Sequence, residues 1–353
     1  MSYTTINKHT DYFNTNLYTG NGSARTITGV GFQPDWVWVK DRSSTNFHYI
    51  YDVVRGNNLN LYTNDNSAQT NVTTALGGGG IGSQASDGFT IVAGTSNTNN
   101  VNTNSNNYVS WNWLAGGSQG SSNTDGSINT TYTSVNTTAG FSISKYTGTG
   151  ANATVGHGLG VAPSMILFKN LSSARTWIVY HKSIGATKNL YLDLNNAENT
   201  ASDTFQNTDP TSTVFSIGTS VGVNESGDDI IAYCFAEKTG YSKFGSYTGN
   251  GNADGTFVYT GFKPALVIIK PSSYVNSWGI FDNKRPGYNV TKNRLEADNT
   301  SAESTALDYF DFLSNGFKVR TSNGHPNTNG GTLIYMAFGQ SLVGTNNIPA
   351  TAR

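Results

Sequence analysis

Charge is scarce in this chain. Of 353 residues only 12% are Asp, Glu, Lys or Arg, half the usual fraction. Twenty-one basic residues against 22 acidic ones leave a net charge of −1. A nucleic-acid binder needs a basic patch, and this balance gives no sign of one. Cysteine is scarcer still. The single Cys234 excludes a disulfide framework, and its place between Tyr233 and Phe235 predicts a buried, inert thiol. No apolar stretch approaches the ~20 residues that a membrane span needs, so membrane insertion is not expected. Met1-Ser2-Tyr3-Thr4-Thr5 has neither the basic flank nor the apolar core of a signal peptide. No run of about 12 residues carries a 3.6-residue period, which speaks against a helical fold.

What the chain does contain is one passage written three times. The first copy is Tyr18-Thr19-Gly20-Asn21-Gly22 followed by Pro34-Asp35-Trp36-Val37-Trp38-Val39-Lys40. The second is Tyr146-Thr147-Gly148-Thr149-Gly150 with Pro163-Ser164-Met165-Ile166-Leu167-Phe168-Lys169. The third is Tyr247-Thr248-Gly249-Asn250-Gly251 with Pro264-Ala265-Leu266-Val267-Ile268-Ile269-Lys270. Later landmarks recur in step: an aromatic at Phe47, Trp177 and Trp278, then Asp52, His181 and Asp282. Asx-rich turns follow at 64–69, 193–198 and 298–303, and a closing aromatic at Trp111, Tyr233 and Tyr335. Repetition on this scale marks modules.

The modules read as β-structure. The apolar run after each proline suits a strand buried on both faces, and Phe141-Ser142-Ile143-Ser144-Lys145-Tyr146 alternates like a half-buried one. The expected fold is all-β, three tandem homologous β-sandwich units of jelly-roll-like type. The expected layout is an N-terminal arm at 1–11, units at 12–116, 139–237 and 241–340, a Gly/Ser/Asn/Thr linker at 117–138 and a tail at 341–353. The long linker suggests that unit 1 is the more independent, and the short joint at 237–244 that units 2 and 3 pack together. Trp111 and Trp113 alternate with Asn112, so both indoles face one side, expected to be the core of unit 1 with Tyr233/Phe235 and Tyr335/Ala337 as counterparts. The polar insertion at 95–107, longest in unit 1, is expected to project outward as binding loops do.

Chemistry is thinly written. Gly116-Gly117-Ser118-Gln119-Gly120 matches the G-x-S-x-G pattern of serine hydrolases, but the polar residues after it cannot start the helix that the nucleophile turn requires. Gly156-His157-Gly158-Leu159-Gly160 precedes a strand, so no helix N-terminus waits for a phosphate, and a tight turn is the better reading. Asp193, Asn195 and Glu198, or Asp298, Asn299 and Glu303, could offer oxygens to calcium, yet capped structural turns explain them more simply. Asp52 with Arg55, and Asp282 with Arg285, fit salt bridges that fasten a loop, while unit 2 has His181 and Ile184 there. The five histidines (His9, His48, His157, His181 and His325) form no ligand pattern. No catalytic residue, metal ligand or cofactor is assigned, and ligand-binding residues stay undefined.

Three strings carry a resemblance: Gly156-His157-Gly158-Leu159-Gly160-Val161-Ala162-Pro163, Tyr180-His181-Lys182-Ser183-Ile184-Gly185-Ala186-Thr187-Lys188, and Tyr233-Cys234-Phe235-Ala236-Glu237. Over about residues 12–340 the chain resembles a repeated concanavalin A/laminin-G-like domain of tailed-phage virion and tail-fibre proteins. The resemblance implies a virion structural protein, a fibre, spike or decoration subunit, assembled in the host cytoplasm. Its expected partners are other virion proteins, copies of itself (a trimer, by analogy with phage fibres) and host-surface glycan. It transfers no binding site. The competing expectations are a purely architectural tail or capsid subunit and, as a second alternative, a glycan depolymerase.

Overall fold

A computed structural model describes residues 4–72, 79–94 and 101–341. It is 43% strand and 5% helix, far below the ~30% helix of an average globular protein. The fold is all-β, built from antiparallel sheets in three sandwich units.

Unit 1 has a large sheet ordered β1 (Phe13–Thr19), β9 (Asn107–Trp113), β3 (Trp36–Asp41), β4 (His48–Asp52), β5 (Leu59–Tyr62), β6 (Thr70–Asn71), and a small sheet ordered β2 (Arg25–Thr28), β8 (Gly88–Ala93), β7 (Gly79–Ala85). Unit 2 repeats the large sheet as β11 (Phe141–Thr147), β18 (Asp229–Phe235), β13 (Met165–Asn170), β14 (Ile178–His181), β15 (Lys188–Tyr191), β16 (Asn199–Thr200). An extra edge strand, β10 (Tyr132–Asn136), joins it beside β11, and its small sheet is β12 (Ala153–Gly156) with β17 (Val214–Ile217). Unit 3 runs β19 (Ser242–Thr248), β26 (Thr332–Ser341), β21 (Phe262–Pro271), β22 (Gly279–Asp282), β23 (Leu295–Glu296), with small sheet β20 (Phe257–Tyr259), β25 (Gly316–Val319), β24 (Phe310–Leu313).

The continuous apolar runs have a structural cause. In β3, Val37 and Val39 face the small sheet of their own unit, while Trp36 and Trp38 face away from it. In β13, Ile166 and Phe168 face inward while Met165 and Leu167 face away; in β21, Val267 and Ile269 against Leu266 and Ile268. The faces that point away meet in one central core drawn from all three units. At its centre Trp113, Phe235 and Phe338 form a triangle, with ring centroids 6.4, 6.1 and 5.7 Å apart. Three equivalent side chains in mutual contact define a pseudo-threefold axis within one chain.

Several expectations are corrected. Unit 1 is not set apart: its Trp36 packs on Tyr233 of unit 2 at 5.1 Å, and its Phe13 on Phe338 of unit 3 at 5.4 Å. Trp111 and Trp113 do share a buried face, but it is the central core rather than the private core of unit 1. The counterpart of Trp111 in unit 3 is Met336, because Trp38 pairs with Trp111, Leu167 with Tyr233 and Ile268 with Met336. Tyr335 lies on the opposite face, in the core of unit 3. A shift of one residue along a strand moves a side chain through the sheet. Likewise His48, not the exposed Phe47, stands where Trp177 and Trp278 stand: Asn64, Asp193 and Asp298 accept their three backbone N–H groups. Finally, the connector at 117–138 is woven in rather than free, since β10 pairs with β11 and Ile128 bridges Val155.

Candidate functional site

The units join by the same contacts three times. Lys40, Lys169 and Lys270 are buried, and burial pushes each ammonium down to about 8. Each donates to a carbonyl nearby in its own unit and to one in the neighbour's Asx turn. The neighbouring acceptors are Thr300 O at 3.0 Å, Asn66 O at 3.0 Å and Asn195 O at 3.3 Å. The Asx turns, read from the sequence as capped structural turns, are therefore also interface elements. Glu198 pairs with Lys188, and Glu303 with Arg42 and Arg285.

A second ring of contacts lies deeper. The Trp111 indole donates to Asp282 Oδ2 at 3.0 Å, and the Tyr233 hydroxyl to Asp52 Oδ2 at 2.6 Å. Met336 has nothing to donate, and there His181 Nε2 meets the Tyr335 carbonyl at 3.2 Å. Ser183 N–H donates to His181 Nδ1, so the ring proton sits on Nε2. Burial holds this imidazole neutral, with its pKa lowered to about 4. The Asp52–Arg55 and Asp282–Arg285 ion pairs anticipated from spacing are present and fully buried.

The axis gives the molecule two different ends. At one, the triangle of Trp113, Phe235 and Phe338 sits beside both inter-unit crossings and both ends of the described chain; His9 N–H and Gln340 Oε1 are 3.2 Å apart. The opposite end carries three copies of the Tyr-Thr-Gly-x-Gly arch. Each arch is clipped from below by a fully buried asparagine: Asn102, Asn224 and Asn327. Their Oδ1 atoms accept from Asn21 N at 3.1 Å, Thr149 N at 2.8 Å and Asn250 N at 2.9 Å. Their Nδ2 groups donate to Ser23 O, Ala151 O and Asn252 O at 2.6, 2.6 and 2.7 Å. Tyr18, Tyr146 and Tyr247 anchor the base, donating to Val101 O, Val223 O and Pro326 O.

Glycine is required at the arch by crowding. A Cβ on Gly20, Gly148 or Gly249 would come 2.0, 2.2 or 2.4 Å from the carbonyl oxygens of Thr103, Glu225 and Thr328. What the arches expose is residues 21–24, 149–152 and 250–254: Asn, Ser and Thr interspersed with Gly and Ala, and a single charge. Asp254, the one charge among them, pairs with Lys318 at 2.5 Å.

The other sequence candidates are accounted for locally. Ser118 Oγ accepts from Gly120 N–H at 3.3 Å in a turn, and Ser121 then bridges Thr133 instead of starting a helix. His157 is buried in its turn, accepting from Leu159 N–H and meeting Thr211 O through Nε2. Cys234 is buried and its thiol pushed up by desolvation. In the insertion at 95–107, residues 95–100 lie outside the described residues. Val101 and Asn102 are fully buried and serve the arch, while Asn104, Ser105 and Asn107 after them are exposed.

The arch asparagines went unnoticed in the sequence reading, although a signal exists. Asn102, Asn224 and Asn327 each lie 11 residues before the triangle residues Trp113, Phe235 and Phe338. Among the described residues no helix is long and apolar enough to cross a membrane, and no group of three or more His, Cys, Asp or Glu could hold a metal.

A family described as a domain of unknown function (DUF7483) matches residues 8–341 as a single unit. No curated protein and no solved structure matches the chain.

Proposed function

Because the chain belongs to the DUF7483 family along nearly its whole length, we propose that this family unit is a bacteriophage virion structural protein that contacts the host surface through several weak, equivalent contacts. Its resemblance to concanavalin A/laminin-G-like virion domains supplies the setting. The observation that carries the reading is the polarity of the body. Three like arches stand at one end, and the chain arrives and leaves at the other. In this reading the three arches are three equivalent contact sites on one face.

The arch chemistry supports weak binding. Exposed Asn, Ser and Thr groups hydrogen-bond hydroxyls and peptide groups, with little net charge for long-range steering. Single contacts of this type give modest affinity, and three on a rigid frame convert it to avidity. The pseudo-threefold body also reframes the expected trimer: one chain already supplies three units, and a threefold mount accepts it as a monomer. The test is a phage lacking the protein, together with the purified protein. Poor adsorption by the phage, cell binding by the protein and no sugar release are expected. Normal adsorption would favour the architectural alternative, and sugar release the depolymerase.

A further inference from the structure

At the end away from the arches, the turn after β4 lies under a roof. Residues 116–120 fold back across it and leave a cleft of about 590 Å3, lined by Val53, Asn57, Gln84, Ser118 and Gln119 with the glycines between them. That is within the range of small-molecule sites. The turn carries Gly56 at positive φ. The connections after the matching strands of units 2 and 3 also carry a glycine at positive φ: Gly185 in an equivalent turn and Gly287 in a longer segment. At Gly185 and Gly287 nothing lies within 4 Å of where a Cβ would stand, whereas at Gly56 the Gln119 amide nitrogen is 3.9 Å away. Among the described residues, such a roof is seen over the turn of unit 1.

The roof is held at a cost. Gln119 Nε2 donates to Val54 O at 3.1 Å, and Gln33 Nε2 to Gly117 O at 2.9 Å. Asp35 Oδ2 accepts from Ala115 N–H at 2.7 Å and from Gly117 N–H at 2.8 Å. Asp35 is fully buried, its Oδ1 has no hydrogen-bond partner, and desolvation raises its carboxyl to about 6. Ser164 and Ala265 occupy the same place in the other units, so the sandwich does not need a carboxylate there. Asp35 does not line the cleft; by accepting from Ala115 and Gly117 it fastens the start of the roof, which is particular to unit 1.

We propose that this cleft binds an uncharged saccharide of one or two sugar units. Its lining is carboxamides (Asn57, Gln84, Gln119), one hydroxyl (Ser118) and glycine backbone, groups that donate and accept without charge. Sugar hydroxyls do the same. With no charged side chain in the lining, a phosphate or carboxylate has no counter-ion, and Val53 alone gives an apolar peptide side chain little to bury against. The inference rests on the attachment reading for the setting of its ligand, and a direct titration separates the two.

The experiment is saturation-transfer NMR and calorimetric titration of the whole protein with glucose, galactose, N-acetylglucosamine, maltose and lactose. Millimolar binding of at least one is expected. It should fall at least tenfold in Ser118→Trp, which fills the cleft, and in the double variant Asn57→Ala, Gln84→Ala, while Lys292→Ala on the exposed surface of unit 3 leaves it unchanged. Melting curves confirm that each variant is folded. No binding by any sugar at 50 mM (roughly the weak limit of useful affinity), or binding that survives Ser118→Trp in a folded protein, overturns the proposal. If the sugars fail while the protein still adsorbs to host cells, the cleft assignment falls and the attachment reading stands. If a sugar binds the cleft and adsorption is absent, the attachment reading falls alone.

Discussion

The interface between units 2 and 3 and the one between units 3 and 1 occupy equivalent places and are built from different chemistry. Units 2 and 3 are neighbours in sequence, joined by a few residues, and their deep contact is a neutral histidine on a carbonyl, His181 to Tyr335. Units 3 and 1 are far apart in sequence. There the buried pair Asp282–Arg285 continues through the part-buried Glu303 to Arg42 as an ionic chain, with the Trp111 indole bound to one end. A short joint holds two units at high effective concentration, so modest contacts suffice. The contact that closes the ring has no such tether and carries charge-assisted bonds, which are stronger and more exacting in geometry.

The largest break in this arrangement should come from the centre, which all three interfaces share. Trp113→Ala removes one corner of the aromatic triangle and is expected to cost about 5 kcal/mol, the top of the range for buried Trp→Ala. Urea unfolding should show the loss in a midpoint shift of one transition. Next, Glu303→Gln leaves Arg42 and Arg285 short of a charge partner inside the closing interface. A cost of about 3 kcal/mol is expected by the same measurement.

The third prediction concerns the roof of the cleft. Desolvation raises the Asp35 carboxyl to about 6 in the native chain, against near 4 when unfolded. The native state therefore binds the proton more tightly, and stability is lost as pH rises from about 4 to 6, with the full loss present above that window. Asp35→Asn keeps an acceptor for Ala115 and Gly117 and removes the titration. Relative to the native sequence it should gain about 3 kcal/mol between pH 4 and pH 7, read from paired denaturation curves. The smallest effect belongs to the interface of units 1 and 2. Tyr233→Phe deletes one bond to the Asp52 carboxylate and leaves the Asp52–Arg55 pair intact, for about 2 kcal/mol.

The sequence made the modules legible and hid their assembly. Repeats, strands and the double burial of β3, β13 and β21 follow from apolar runs without alternation. Those runs do not tell which buried face meets the unit's own small sheet and which meets another unit, and so the ring closure was invisible. For the same reason the phase of β26 was misread. With Tyr335 and Met336 both buried, no polar residue marks which one faces the axis. His48 was overlooked because a polar ring replaces the indoles of Trp177 and Trp278. The connector at 117–138 has a linker's composition, and its pairing with unit 2 depends on backbone groups that composition does not reveal. The arches were legible as strings, but the asparagines beneath them lie about 80 residues away from each.

The most direct test of a single threefold body is differential scanning calorimetry of the intact chain. One cooperative transition is predicted, with van't Hoff and calorimetric enthalpies in agreement, because no unit can leave without opening the core that holds the other two. Separate melting of unit 1, ahead of or behind a transition for units 2 and 3, would contradict the account.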